Sequence, residues 1–376
     1  MNHSTIIATI SAVCLLLFLG TMSYGADIPA IRDAKDSMER TRVQALLEGA
    51  RKEGVLAWTS NVIEPAHADH IQTGFKEYYG LSETKIIFDY GVSTEMIGRI
   101  DPVLKAGRTP PFDIAHMPAW DWFKALIKQG HLMRYDSPYY KEYTFSNEAG
   151  NSMPGYWVSD GNPSTPVWNA KELAKRGIKD FHPTSWLDFA DPRFFGMIAS
   201  SNASVSNQTA SWVIGLRKVL GEEFFIKLGK NKLAFWTKAL QAEQWLESGE
   251  YPIALTSRAK YAIRLTENGI EAGICWPKEG QVMAPYSPVI FAAAPHPNTA
   301  KLFIDYIRSV PGTNRIAETG ASLVYGRPGV KVPENERKFM PPAEKIKLIP
   351  MDWDKDTSSE NLKAARAWSK KVGVGF

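Results

Sequence analysis

Cysteine is nearly missing from this chain of 376 residues, which carries only Cys14 and Cys275. A disulfide framework and any multi-cysteine metal centre are therefore excluded. Cys275, between Ile274 and Trp276, reads as a small buried apolar residue. Acidic and basic side chains are absent from the first 25 residues, where Ile6–Leu19 forms an apolar block shorter than a comfortable membrane span. With small residues at Ser23 and Gly25, this segment predicts a secretory signal cut between Gly25 and Ala26, an uncleaved anchor being the alternative. Val13 before Cys14 is a poor fit to a lipoprotein cut site. No basic run or stripe occurs and the net charge is only +4, so no nucleic-acid partner is expected. No repeat of 20 to 50 residues is present. G-x-S-x-G, H-E-x-x-H and a glycine-rich phosphate loop are all missing, which leaves a secreted hydrolase without its usual motifs. His67 and His70 sit three apart on one predicted helix and read as a surface pair. No metal and no cofactor are expected.

What is present is an ordinary globular composition, 44% hydrophobic and 22% charged, long enough for two lobes. A helix is predicted over Asp33–Glu53 and stopped by Gly54, because Val43, Leu46, Leu47 and Ala50 recur at helical spacing. Three short apolar strands follow, Val55–Trp58, Lys85–Asp89 and Phe112–His116, each leading through a polar turn into a helix. Such alternation predicts a mostly parallel sheet, with the three turns on one rim beyond the carboxyl ends of the strands. Those turns hold Ser60 and Asn61, then Ser93 and Thr94, then His116 to Trp120. Of the twelve tryptophans, Trp58, Trp120 and Trp122 are placed at or near this rim, Trp120 in the turn itself.

Residues 135–169 turn rich in Tyr, Pro, Gly, Asn and Ser, which marks a crossing into a second lobe. Tyr139 and Tyr140 are read as packing beside that crossing. Beyond a helix at Ala170–Arg176, a strand at Met197–Ala199 opens into Ser200–Thr209, a loop dense in hydroxyls that is either a flexible surface loop or a ligand cradle. Helices are predicted over Ala210–Leu220 and Trp236–Ser248, a strand at Gly273–Trp276, a return strand at Val289–Ala293 and a last helix near Leu362–Lys371. Between them lies GEYPIALTSRAKYAIRL, residues 249–265, where a strand at Ile253–Leu255 runs into a helix. Thr256 and Ser257 are candidate caps for that helix, and Arg258 and Lys260 would make its first turn an electropositive, anion-holding pocket. The ordinary alternative is a capped turn with solvated charges.

Taken in order, EGVLAWTSN, GHLMRYDSP, TSWLDFADPRFFGMIASSNAS, WLESGEYPIALTSRAKYAIRL, PKEGQV and AAPHPNTAKLFIDYIRS resemble the bacterial periplasmic solute-binding proteins of ABC importers. The resemblance is to the branch with ferric-ion, thiamine, sugar-phosphate and phosphonate binders, and it runs through nearly all of the chain beyond residue 25. It implies a type II periplasmic-binding-protein fold, two α/β lobes with a central ligand cleft and hinge strands. It further implies a monomer that closes on its ligand and presents it to an ABC permease in the inner membrane. The corresponding division is a signal peptide at 1–25, lobe I at 26–160, lobe II at 161–280, a return to lobe I at 281–330, and a C-terminal segment at 331–376 packing on either lobe.

Cleft-facing residues implied by the resemblance are Ser60, Asn61, Ser93, Thr94, Trp120, Ser201, Asn202, Ser257, Arg258, Lys260 and Tyr261. The Ser-rich loop then reads as ligand cradle. Ferric binders of this group carry two adjacent tyrosines where this chain has Ser257-Arg258-Ala259-Lys260-Tyr261. Fixed cations repel a trivalent metal, a like charge at 4 Å costing about 4 kcal/mol at an effective dielectric near 20. A small anion is expected instead, a phosphonate, phosphate ester or carboxylate, with ferric ion or an iron chelate as the alternative. A sensor that hands its closed form to a receptor is a third reading.

Overall fold

The computed structural model describes residues 28–319 and 327–375, so the signal expected at 1–25 and Cys14 within it lie outside the described residues. The chain begins with α1 (Pro29–Arg32) and α2 (Ser37–Glu53). Asp36 caps α2 by accepting from the Glu39 N–H, and Gly54, at φ 64, ends it in the left-handed region that glycine enters freely. That cap moves the start of the helix four residues past the expected Asp33.

Three strand–helix units follow: β1 (Val55–Ser60) with α3 (Pro65–Tyr79), β2 (Lys85–Tyr90) with α4 (Ser93–Lys105), and β3 (Ile114–Met117) with α5 (Trp120–Lys128). β1 pairs in parallel with β2 and β3, so all three carboxyl ends open on one rim, as the sequence pattern predicts. After α6 (Thr144–Glu148), β4 (Ser152–Met153) and β5 (Trp157–Val158), the chain runs through β6 (Asp160–Pro163) into β7 (Thr165–Asn169). The second lobe holds α7 (Ala170–Lys175), β8 (Ile198–Ser201), α8 (Asn207–Gly229), β9 (Ala234–Trp236), α9 (Ala239–Ser248), β10 (Ile253–Ser257), α10 (Ala259–Glu267) and β11 (Ala272–Ile274). β12 (Met283–Ile290) then returns to the first sheet, followed by α11 (Pro297–Arg308) and α12 (Val310–Glu318).

Two five-stranded sheets result, ordered β2-β1-β3-β12-β6 and β11-β7-β10-β8-β9. The chain crosses between them at the β6–β7 step and again ahead of β12, where the Ser164 N–H donates to the Val282 carbonyl at 3.3 Å. This pair of crossings joins the two lobes.

Further expected elements shift as well. β12 runs Met283–Ile290 rather than Val289–Ala293, because Pro285 and Pro288 lack the N–H a ladder uses and so disguise a strand held between β3 and β6. α8 starts at Asn207, where Ser206 accepts from the Thr209 N–H, and continues past a bend at Gly221 (φ 71) to Gly229. The segment 236–248 is a strand end and then a helix from Ala239, since a three-residue strand leaves no periodic signal.

Trp58 is not on the rim but fully buried in mid-strand, its ring 4.5 Å from that of Phe88 and 4.8 Å from that of Phe303. His116 is likewise buried beneath the double crossing, 2.8 Å from Asp160, which also pairs with the buried Arg308 at 2.5 Å. Burial with no competing water explains why these polar groups meet one another instead of a solute.

The last part of the chain, α13 (Glu334–Arg337), α14 (Trp353–Asp356) and α15 (Ser359–Lys371), touches both lobes. Asp354 pairs with Lys124 at 2.6 Å on the first, while Asp356 pairs with Lys218 and Trp368 packs 5.5 Å from Phe225 on the second. Glu336 is 2% exposed, its Oε2 has no partner, and burial beside Glu267 pushes its carboxyl up to about 7. A carboxyl raised in the folded state holds its proton more tightly there than in the unfolded chain, so stability falls as pH climbs from about 4.5 to about 7. Glu336→Gln is expected to add about 1–3 kcal/mol at pH 8 and nothing at pH 4, which calorimetry at the two pH values checks.

Candidate functional site

β10 lies between β7 and β8 and delivers the chain to the space between the sheets. The strand continues through Ser257, opposite Thr165 of β7, so the helix cap expected from Thr256 or Ser257 does not form. Arg258 occupies the N-cap position with extended backbone (φ −143) and no side-chain cap bond. Thr256 turns away, its hydroxyl 2.9 Å from that of Ser200 and accepting from the Ser201 N–H at 2.8 Å. The Ser257 and Thr165 hydroxyls, facing positions on adjacent strands, are both buried without a hydrogen-bond partner. Two such groups in one place are costly unless something polar completes them.

Arg258 is half-buried and donates to the Tyr286 hydroxyl at 3.0 Å and to Gln208 Oε1 at 3.5 Å, with its guanidinium 5.5 Å from the Tyr286 ring centre. Tyr286 in turn donates to Gln208 Oε1. No carboxylate lies within ion-pair distance of Arg258 among the described residues, though Tyr286, Tyr261, Glu64 and Tyr90 are near enough to act on its charge. Despite burial, these neighbours raise its affinity for the proton, so the cation is permanent. Tyr90, the last residue of β2, is 36% exposed, and burial of its phenol pushes the pKa up to about 12. Burial also raises Tyr261 and Tyr286, which keeps all three phenols protonated.

Lys260 plays a different part from the one expected. It is 3% exposed and pairs with Glu64 at the start of α3 in the first lobe and with Glu243 of α9 at 3.5 Å. Arg264 pairs with Glu243 at 2.9 Å and lies 3.3 Å from His67. A buried ammonium must be compensated, and here two carboxylates do so. Burial alone would raise Glu64, but Lys260 and Arg258 outweigh it and hold the carboxyl below its ordinary value. The pocket expected from two cations therefore contains one cation with no direct ion pair, Arg258, beside an ion pair that ties the lobes together.

The remaining sequence-predicted residues divide by how their polar atoms are used. Ser60 Oγ accepts from the N–H groups of Val62 and Ile63, which fixes the turn after β1. Asn61 donates to Ser93 Oγ at 2.9 Å and its Oδ1 is buried with no partner. Ser201 and Asn202 give their N–H groups to the Thr256 hydroxyl and the Trp236 carbonyl, and Asn202 Oδ1 accepts from the Ser204 N–H at 2.9 Å, which fixes the backbone of this part of the Ser-rich loop. Trp120 opens α5 instead of sitting in a turn, 8% exposed, donating to Asp354 at 2.7 Å. Thr94 stands half-buried behind it along a separate cavity. Tyr261 is buried with the Lys260 ammonium 5.4 Å from its ring.

Sequence reasoning missed Glu64, Tyr90, Gln208 and Tyr286. Tyr90 was reachable as the terminal residue of a parallel strand on the open rim. Among the described residues no group of three or more His, Cys, Asp or Glu is arranged to hold a metal.

Two α/β sheets joined by a double crossing, with polar groups converging between them, define a periplasmic-binding-protein fold of the type II kind. Residues 111–355 match the family of bacterial extracellular solute-binding proteins, and the chain belongs to that family. Solved structures agree in fold. The periplasmic binding protein AfuA from Actinobacillus pleuropneumoniae, with exogenous fructose-6-phosphate bound, is 18% identical, with 85% of this chain and 99% of that one covered at a TM-score of 0.68. Iron-bound HitA from Pseudomonas aeruginosa is 17% identical over 85% and 99% of the two chains, at 0.60. Apo ferric ion-binding protein A from Pasteurella haemolytica is 15% identical over 86% and 99%, at 0.65. No curated protein matches the chain.

Proposed function

We propose that this solute-binding protein captures a small anion, a phosphonate, phosphate ester or carboxylate, between its lobes and delivers it as a monomer to an ABC permease in the inner membrane. One observation carries the reading: Arg258 stands between the lobes with only neutral hydrogen-bond partners, next to buried hydroxyls of Ser257 and Thr165 that lack partners. A guanidinium grips two oxygens of such an anion at once, and the free hydroxyls and the edge of Tyr90 complete its shell. Export by the segment at 1–25 and closure about the double crossing belong to the same proposal. The Glu64–Lys260 pair supports it, since it joins the lobes beside Arg258.

Relatives in fold include a sugar-phosphate-bound protein and an iron-bound one, so iron is the reading to exclude. A permanent cation next to protonated phenols disfavours ferric ion and favours oxyanions. Thermal unfolding with phosphonates, phosphate esters, small aliphatic carboxylates and ferric citrate is the test. Anions are expected to raise the melting temperature in proportion to the logarithm of their concentration above Kd. Stabilisation by ferric citrate alone would overturn the assignment.

A further inference from the structure

A cavity of about 300 Å³ lies where α4, the N-terminus of α8 and β12 meet the C-terminal segment. Its walls come from both lobes and from the segment that ties them together: Thr94 and Trp120 from the first, Asn207 from the second, and Trp353 and Arg366 from the C-terminal part. It is separate from the group around Arg258. Tyr286 faces Arg258 while its neighbour Pro285 lines this cavity, and Gln208 reaches Arg258 while Asn207 lines it.

Arg366 is half-buried here and has no carboxylate within ion-pair distance among the described residues. Its Nε donates to the Ala203 carbonyl at 3.0 Å and its Nη2 to Asn207 Oδ1 at 2.5 Å, both neutral. Burial lowers its pKa with no opposing charge to offset the cost. Trp353 is 5% exposed, and its indole N–H is buried with no acceptor. Its ring centre is 6.5 Å from that of Trp120. The one carboxylate on the wall, Asp121, is engaged by the Ser359 N–H at 3.1 Å and hydroxyl at 2.5 Å. A cation without an ion pair and two indole rings on the walls of one half-open cavity suit a planar apolar body that carries an anionic group.

We propose that this cavity is a second small-molecule site, and that it takes an aromatic carboxylate, with the carboxylate on Arg366 and the ring against Trp120 and Trp353. A monocyclic or bicyclic acid fits a cavity of this size, which is at the small end of the range for ligand pockets. Because its walls belong to both lobes and the C-terminal segment, an occupant would hold the three together.

Titration calorimetry with benzoate and 1-naphthoate tests it on the full chain. One equivalent of 1-naphthoate is expected to bind, with the neutral 1-naphthamide at least tenfold weaker. Arg366→Gln and the cavity-filling Thr94→Phe should each weaken 1-naphthoate at least tenfold. Circular-dichroism melting confirms that each variant is folded, and Thr94→Phe leaves the Arg366 contacts in place. Arg258→Gln, which removes the cation between the lobes, should leave 1-naphthoate binding as in the wild type, so failure of one site is told apart from failure of the other. No heat at millimolar 1-naphthoate, or binding lost in Arg258→Gln but kept in Arg366→Gln, would overturn the proposal.

Discussion

Arg258→Ala is expected to weaken anion binding by about tenfold to a hundredfold, the cost of removing a charge-assisted, two-point contact. The fold should scarcely register the loss. Tyr286 and Gln208 remain hydrogen-bonded to each other, and no carboxylate is left without its cation. Because its neighbours hold the cation's proton more tightly in the folded protein than in the unfolded chain, the melting temperature of the variant should fall, but only slightly, since no ion pair is broken. Arg258→Lys keeps the charge and gives up the planar fork, and should fall between the two. Titration calorimetry supplies the affinities and scanning calorimetry the stabilities. An unchanged Kd in Arg258→Ala would move the anion site elsewhere.

Lys260→Met should do the opposite, damaging stability first. The ammonium is almost wholly enclosed and holds Glu64 and Glu243, which come from different lobes. Without it Arg264 still serves Glu243, but Glu64 loses its partner and the two carboxylates face each other. Breaking a buried pair from one side costs about 3–5 kcal/mol. The deficit has a defined pH dependence. In the wild type Glu64 titrates below its ordinary value, so its contribution is present at neutral pH and lost only as pH falls through that lowered pKa. The gap between variant and wild type should thus be largest near pH 7 and narrow on acidification, as protonated carboxyls need no cation. Equal melting temperatures at pH 7 would contradict the inter-lobe pair.

The topology of the first lobe was legible because each strand is short, apolar and followed at once by a polar turn and a periodic helix. The stretch at 249–265 was legible for the same reason, and it leads to Arg258. What could not be read was who meets whom. Glu64 reaches Lys260 across 196 residues of chain, and no local pattern announces that of two neighbouring cations one will be ion-paired and the other bonded only to neutral groups. Tyr286 was hidden by the prolines at 285 and 288, which look like loop and are strand. Trp58 and Trp120 show the limit of placing aromatics by turn proximity. One sits two residues inside its strand end and is swallowed by the core, and the other is drawn inward by Asp354 from the far end of the chain.

The most direct test is a crystal structure of the protein with the anion that stabilises it best. An oxyanion in the space between the lobes, with two oxygens about 2.7–2.9 Å from the Arg258 guanidinium, is the predicted result. A ferric ion held by the phenolates of Tyr90, Tyr261 or Tyr286, or an anion bound out of reach of Arg258, would contradict it.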